Sequence, residues 1–69
     1  MDIRQQVGIN VKKWRKERGL SQEELAFDAK IDRTYISGVE RGIRNPTIVV
    51  LARIAKALRV PVSKLLEER

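Results

Sequence analysis

Five positions between residues 33 and 41 combine hydrogen-bonding groups with little bulk. They are Arg33, Thr34, Ser37, Gly38 and Arg41. If the stretch is a helix, Thr34, Ser37, Gly38 and Arg41 lie opposite the apolar Ile36 and Val39, and Arg33 lies at the tip. An arginine fork can donate two hydrogen bonds to guanine O6 and N7, and a threonine methyl group can contact a thymine methyl group. We therefore predict that this side reads base edges, although an ordinary solvated helix could also carry two arginines.

Gly38 stands in the middle of this predicted helix. A glycine there costs roughly 1 kcal/mol relative to alanine. A helix that must lie close to another surface gains from the missing side chain, so we predict that the Gly38 side approaches a ligand. The alternative is a neutral surface glycine.

Composition excludes several classes of chemistry. The 69 residues include no histidine and no cysteine, which removes the usual general base, the thiolate nucleophile and the common zinc ligands. Only scattered carboxylates remain, so we predict no enzyme, no metal and no cofactor. There is neither an apolar run of 18 residues nor a signal-peptide pattern. We expect a soluble cytoplasmic chain with no membrane contact and no small-molecule ligand.

The net charge of +6 is unevenly distributed. Residues 45–66 carry four basic and no acidic side chains, whereas residues 19–32 carry one basic and four acidic ones. A polyanion is the natural partner for such a chain. A solvated basic surface is the alternative, and a membrane surface would require more than the one Trp, one Tyr and one Phe present.

Helical spacing of apolar residues predicts the first element. Val7, Val11 and Trp14 recur at i, i+4 and i+7, which predicts a helix from about Ile3 to Arg18 that is stopped by Gly19. Trp14 shares this apolar stripe, so we interpret it as a core residue rather than a base-stacking one.

Two short helices with a tight turn follow. Ser21 and Glu24 form a capping-box pattern that predicts a helix over residues 22–29, which faces inward through Leu25, Ala26 and Ala29. Asp32 can cap a helix over residues 33–41 that ends before Gly42. Two short helices joined at residues 30–32 have the geometry of a helix-turn-helix, in which the second helix enters the major groove of DNA.

The remaining residues predict two more helices. Thr47 can cap a fourth helix, whose apolar side is Ile48, Leu51, Ile54, Ala55 and Leu58. Pro61 suits a first helical turn, so residues 62–66 are predicted as a short fifth helix. We therefore expect an all-α, compact five-helix domain that spans residues 1–69, because so short a chain rarely supports two cores.

Several motifs resemble the phage repressor and Cro (XRE-like) helix-turn-helix family. They are Gly19-Leu-Ser-Gln-Glu-Glu-Leu-Ala26, Asp32-Arg-Thr-Tyr-Ile-Ser-Gly-Val-Glu-Arg-Gly42, Arg44-Asn-Pro46 and Leu51-Ala-Arg-Ile-Ala-Lys-Ala-Leu58. Within that family the chain is most similar to the controller proteins of restriction–modification systems, because of Arg33-Thr-Tyr35 and Arg44-Asn45. The resemblance implies a lambda-repressor-like fold with its motif at residues 22–41 and its recognition helix at about 33–41.

The resemblance also implies roles for individual positions. Arg33 and Thr34 match base-reading positions, and Ser37 and Gly38 match positions near the DNA backbone. The positions implied to contact the DNA backbone are Ser21, Gln22, Tyr35, Arg44 and Asn45. Arg15 and Glu40 match an internal salt bridge.

Two positions depart from the family pattern. Lys30 and Arg59 stand where the family usually places glycine, after the second and fourth helices. We therefore predict left-handed backbone angles at both residues, at some energetic cost.

The implied function is transcription regulation by a homodimer bound to a palindromic operator in double-stranded DNA. One recognition helix touches too few base pairs to be selective, and two-fold dimers solve this problem. The interface candidates are Val49, Val50 and Leu66, since apolar residues on an outer surface can mark a contact. An antitoxin or accessory module that holds a partner protein remains the alternative.

Overall fold

The computed structural model describes residues 2–68, so Met1 and Arg69, the ends of the predicted domain, lie outside the described residues. Its elements are α1 (Ile3–Glu17), α2 (Gln22–Ala29), α3 (Arg33–Glu40), α4 (Ile48–Leu58) and a 3-10 turn (Val62–Leu65). The all-α class and four of the five helices are confirmed. The predicted fifth helix is wrong in type, because the segment after Pro61 forms only a single 3-10 turn that ends at Leu65.

Side-chain caps fix where α2, α3 and α4 begin. Ser21 accepts a hydrogen bond from the Glu24 amide at 3.0 Å, and Glu24 accepts one from the Ser21 amide at 2.8 Å, which completes the predicted capping box. Asp32 caps α3 by accepting a hydrogen bond from the Thr34 amide, and Thr47 caps α4 by accepting one from the Val50 amide, as predicted. α3 ends one residue earlier than expected, and Arg41 is its C-cap.

The core is formed by apolar residues from all five elements. The buried members are Val7, Val11, Leu25, Ala26, Ala29, Ile36, Val39, Leu51, Ile54, Ala55, Leu58 and Leu65. Trp14 packs against this core and is half-buried, in agreement with its interpretation as a core residue. The assignment of Ile48 to the apolar side of α4 is wrong, because Ile48 is 80% exposed at the first position of that helix.

A glycine that the sequence analysis overlooked sets the distance between α1 and α3. A Cβ atom on Gly8 would lie 2.4 Å from the Val39 carbonyl oxygen and 2.8 Å from that of Glu40. Real Cβ atoms do not approach backbone atoms so closely. Gly8 therefore allows α1 to pack directly on the carboxyl end of α3.

Two buried amides on α1 hold the segment after the 3-10 turn. The Asn10 Nδ2 atom donates to the carbonyl oxygens of Leu65 and Glu67 at 2.9 and 2.8 Å. The Gln6 Nε2 atom donates to the Leu66 carbonyl oxygen at 2.8 Å. Since buried carbonyl groups need partners, these bonds fix the segment against the first helix.

The predicted left-handed residues are confirmed. Lys30 and Arg59 have φ angles of 58° and 61°. Beside each of them an arginine donates to the carbonyl groups that end the helix: Arg53 to Ala29 and Lys30, and Arg18 to Leu58 and Arg59. These cationic donors compensate part of the cost of a side chain at a position that favours glycine.

Residues 2–68 contain no helix that is both long enough and apolar enough to span a bilayer.

Candidate nucleic-acid interface

The amino end of α3 is an exposed polar surface. Asp32 caps it by accepting a 2.7 Å hydrogen bond from the Thr34 amide. Hydrogen bonding from Thr34 lowers the pKa of the Asp32 carboxyl group, so this cap stays ionised to a lower pH than an ordinary aspartate would. Arg33 and Thr34 are both exposed at this end. Among the described residues the Arg33 guanidinium has no hydrogen-bond or salt-bridge partner, so its donors are available for a ligand.

The carboxyl end of α3 is fixed by an ion pair. Arg15 donates to both carboxylate oxygens of Glu40, from Nε at 2.6 Å and from Nη2 at 3.1 Å. Only 11% of the Arg15 side chain and 4% of the Glu40 side chain remain exposed. The predicted salt bridge is therefore confirmed, and it is buried and bidentate, which is the strong geometry for such a pair.

Two more hydrogen bonds extend this ion pair into α2 and its preceding loop. The Gln22 Nε2 atom donates to Glu40 at 3.0 Å, and Arg15 Nη1 donates to the Leu20 carbonyl oxygen at 2.9 Å. The resulting network joins α1, α2 and α3. Gln22 thus braces α3, and its contact with the DNA backbone stays a prediction.

Arg44 lies on the outer side of α3. Its guanidinium carbon is 5.5 Å from the centre of the Tyr35 ring, within the range of a cation–π contact. The side chain is exposed and has no hydrogen-bond acceptor among residues 2–68. The neighbouring Asn45 is exposed as well, so both members of the predicted phosphate-gripping loop reach the surface.

Gly38 is not on the outward surface, and this part of the sequence prediction is wrong. Gly38 is buried. A Cβ atom added there would lie 2.7 Å from Cγ of Arg44 and 3.3 Å from its Nε. The space left by the missing side chain is therefore occupied by Arg44 of this same chain. A helical wheel contains only the residues of its own helix, so it cannot show that a residue outside α3 lies over Gly38.

The other predicted base-reading and backbone residues have different degrees of exposure. Ser37 is half-buried, and Arg41 is exposed with its Nε donating weakly to the Ser37 carbonyl oxygen at 3.4 Å. Arg41 is eight residues from Arg33, which corresponds to about 12 Å along the axis of α3. Ser21 is exposed, although its hydroxyl oxygen already accepts the helix-capping bond.

The predicted interface residues differ in exposure. Val49 is 68% exposed and Leu66 is 42% exposed, whereas Val50 is half-buried and packs against the core. Val50 is therefore not a free surface residue. Ile3 and Leu66 line a small cleft of about 70 Å³ together with Pro46 and Leu51. The exposed Ile48 precedes Val49, so the apolar surface is larger than predicted.

Three positions that matter for this surface were missed by sequence reasoning. Gly8 could have been found from its position on the Val7–Val11 stripe, where a glycine on a buried side indicates a close helix contact. Arg18 and Arg53 donate to carbonyl groups at the end of a helix that is far away in sequence. Their roles depend on tertiary contacts, and only the missing glycines at Lys30 and Arg59 hint at them.

Comparisons with known proteins agree with the resemblance that the sequence motifs indicate. The helix-turn-helix family matches residues 11–65. Control protein C.SmaI from Serratia marcescens is 47% identical over 66 residues, which cover 96% of this chain and 79% of that protein. Control protein C.MunI from a Mycoplasma species is 41% identical over 68 residues, which cover 97% of this chain and 92% of that protein.

A solved structure agrees in fold as well as in sequence. The restriction-modification controller protein C.AhdI from Aeromonas hydrophila superposes with a TM-score of 0.87 at 40% identity, covering 90% of this chain and 94% of that one. These relatives are named as control proteins and not as enzymes, in agreement with the sequence prediction.

Proposed function

This chain belongs to the helix-turn-helix family, and from that premise we propose that it is a sequence-specific, controller-type transcription regulator that binds double-stranded DNA as a homodimer. The observation that carries the proposal is the amino end of α3. Arg33 and Thr34 are exposed there and the Arg33 guanidinium has no partner among residues 2–68, while the other end of the same helix is fixed by the buried ion pair. A rigid helix with free donors at its tip is suited to a DNA groove.

Electrostatics favour a polyanion at this surface. The ionised Asp32 cap offsets the partial positive charge at the amino terminus of α3, and the exposed Arg33, Arg41 and Arg44 leave this surface with a net positive charge. Arg44 and Asn45 lie in the loop after α3 and would contact phosphates. Affinity would then depend steeply on salt, because each phosphate that is neutralised releases counterions.

Base reading is assigned mainly to Arg33 and Thr34 at the tip, with Ser37 beside them. Arg41 stands at the far end of α3, where its distance from Arg33 is comparable to the width of the major groove, about 12 Å. Ser21, Gln22 and Tyr35 border the same surface and would contact the DNA backbone. The protein would act in the cytoplasm on an operator made of two related half-sites.

Dimerisation would use the apolar surface at the start of α4. Ile48, Val49, Ile3 and Leu66 are exposed apolar side chains, and two of them share the cleft beside Pro46. A second copy is the occupant that the function requires, since a two-fold dimer presents two recognition helices to one operator.

Selection of bound duplexes from random DNA tests the proposed function. We expect a short motif repeated with two-fold symmetry at a spacing of about one helical turn. Recovery of sequences with no common motif would contradict specific reading. A single unrepeated motif would contradict the dimer. Retention of a second kind of chain through purification would favour an antitoxin.

A matched pair of substitutions tests the dimer surface. Val49→Lys places a charge on the proposed interface, and Phe27→Lys places one on an 83% exposed aromatic residue of α2. We expect sedimentation equilibrium to show a large loss of dimer for Val49→Lys and no change for Phe27→Lys. The reverse result would move the interface to α2.

A further inference from the structure

We propose that Gly38 is a positioning residue that, together with Tyr35, holds the Arg44 guanidinium ready for a DNA phosphate. This inference rests on the proposed function and assigns to Gly38 a role different from base reading. It starts from the finding that the space above Gly38 is filled by the aliphatic part of Arg44.

The first step is the contact between Gly38 and the Arg44 side chain. The distances from a built Cβ atom to Cγ, Nε and Cδ of Arg44 are 2.7, 3.3 and 3.5 Å. Three consecutive heavy atoms of the side chain therefore lie along the bare backbone of α3. Any side chain at position 38 would displace this arginine, which is flexible enough to move without unfolding the helix.

The second step is the backbone contact. The Gly38 carbonyl oxygen accepts hydrogen bonds from the amides of Ile43 and Arg44 at 2.9 and 3.3 Å. These bonds do not depend on the residue type at position 38. A substitution there would thus leave the loop attached to α3 and change only the path of the Arg44 side chain.

The third step is the aromatic support. Tyr35 precedes Gly38 by three residues, so the two positions are neighbours on one side of α3. The Tyr35 ring lies under the guanidinium, which is 5.5 Å away. Arginine is more weakly hydrated than lysine and stacks on aromatic rings, so this support keeps its position without occupying its N–H donors.

The consequence is an arginine whose side chain is ordered before the ligand arrives. Ordering a long side chain on binding weakens an interface, and an ordered one avoids that loss. We expect Gly38→Ala to weaken duplex binding about 2- to 10-fold. The melting temperature should not fall, because alanine is a better helix former than glycine.

A double-mutant cycle separates this role from direct contact with DNA. The affinities of the parent, Gly38→Ala, Arg44→Ala and the double variant are measured on the selected duplex and on a shuffled duplex of equal length. Gly38→Ala should have almost no effect once Arg44 is absent. An equal loss of affinity in both backgrounds would overturn the proposal, since Gly38 would then act on DNA without Arg44.

Spectra of the free protein distinguish failure of this inference from failure of the proposed function. The Tyr35 ring should shift the Arg44 side-chain proton resonances upfield, and both Gly38→Ala and Tyr35→Leu should remove that shift. Unchanged Arg44 resonances in Gly38→Ala would overturn the positioning role, whatever the DNA data. A parent chain with the shift but with no affinity for any duplex would instead overturn the proposed function.

Discussion

Arg15 and Arg44 both lie beside α3, and their guanidinium groups are held by different kinds of contact. Arg15 is buried, and three of its nitrogen atoms donate to acceptors of the chain itself. Arg44 is exposed and is held by the Tyr35 ring and the bare backbone at Gly38, with its donors unused among the described residues. An arginine whose N–H groups donate to acceptors of the chain itself stabilises the fold, whereas an arginine whose N–H groups have no acceptor among the described residues is available for a ligand.

Arg18 and Arg53 stand between these two cases. Each donates to backbone carbonyl groups at the end of a helix, and among residues 2–68 neither is paired with a carboxylate. Their role is structural, although removing a hydrogen bond of this kind costs less than removing one partner of a buried ion pair. The arginines can thus be ordered by how many of their donors the chain itself uses.

Removal of Glu40, the partner of Arg15, is expected to have the largest effect of these substitutions on stability. Glu40→Ala leaves a buried guanidinium without its carboxylate, so the free energy of unfolding should fall by about 3 kcal/mol. Urea denaturation monitored by Trp14 fluorescence measures this change. Glu17→Ala is the matched control, since Glu17 is the exposed last residue of α1 and its loss should change stability by less than about 0.5 kcal/mol. Equal urea midpoints for Glu40→Ala and the parent would show that the ion pair of Arg15 does not stabilise the fold.

Two arginines on the outer side should affect DNA binding and leave the unfolding midpoint unchanged. Arg33→Ala should reduce discrimination between selected and shuffled duplexes by about 1–3 kcal/mol, roughly 5- to 150-fold. Arg44→Ala should weaken both complexes by similar factors and lower the salt slope by about one.

Titrations at two salt concentrations measure both quantities. Lys56→Ala is the control for charge alone, because it removes one exposed positive charge from α4. Loss of discrimination in Arg44→Ala together with a uniform loss in Arg33→Ala would reverse the two roles.

The left-handed residue at the end of α4 gives the smallest expected effect. Arg59→Gly removes the steric cost of a side chain at φ 61° and keeps the backbone carbonyl to which Arg18 donates, so stability should rise by about 1 kcal/mol or less. Lys56 lies inside the same helix, two positions before its last residue Leu58. Lys56→Gly should instead lower stability by about 1 kcal/mol. A lower melting temperature for Arg59→Gly would show that its side chain contributes more than its backbone angle costs.

Local patterns were enough to predict most of the fold. Capping by Ser21, Asp32 and Thr47 and the stripe that begins at Val7 depend on neighbours in sequence, and these predictions are confirmed. The Arg15–Glu40 pair was also anticipated, from the resemblance to the family.

The errors at Gly38 and Ile48 share a physical cause. The environment of each residue depends on which other segment covers it. Arg44 covers Gly38 from outside the helix, whereas Ile48 remains 80% exposed at the start of α4. The periodicity of one helix contains no information on which other segment covers a residue. A helical wheel therefore places Gly38 on the exposed side and Ile48 on the buried side.

The bonds from Gln6 and Asn10 affect how the molecule resists proteases. A segment peels away from a folded protein easily when only its own side chains hold it. Here, release of residues 65–67 would also break the hydrogen bonds that the buried amides of Gln6 and Asn10 donate to this segment. Proteolysis within residues 65–67 should therefore be slower than in a terminal segment without such bonds.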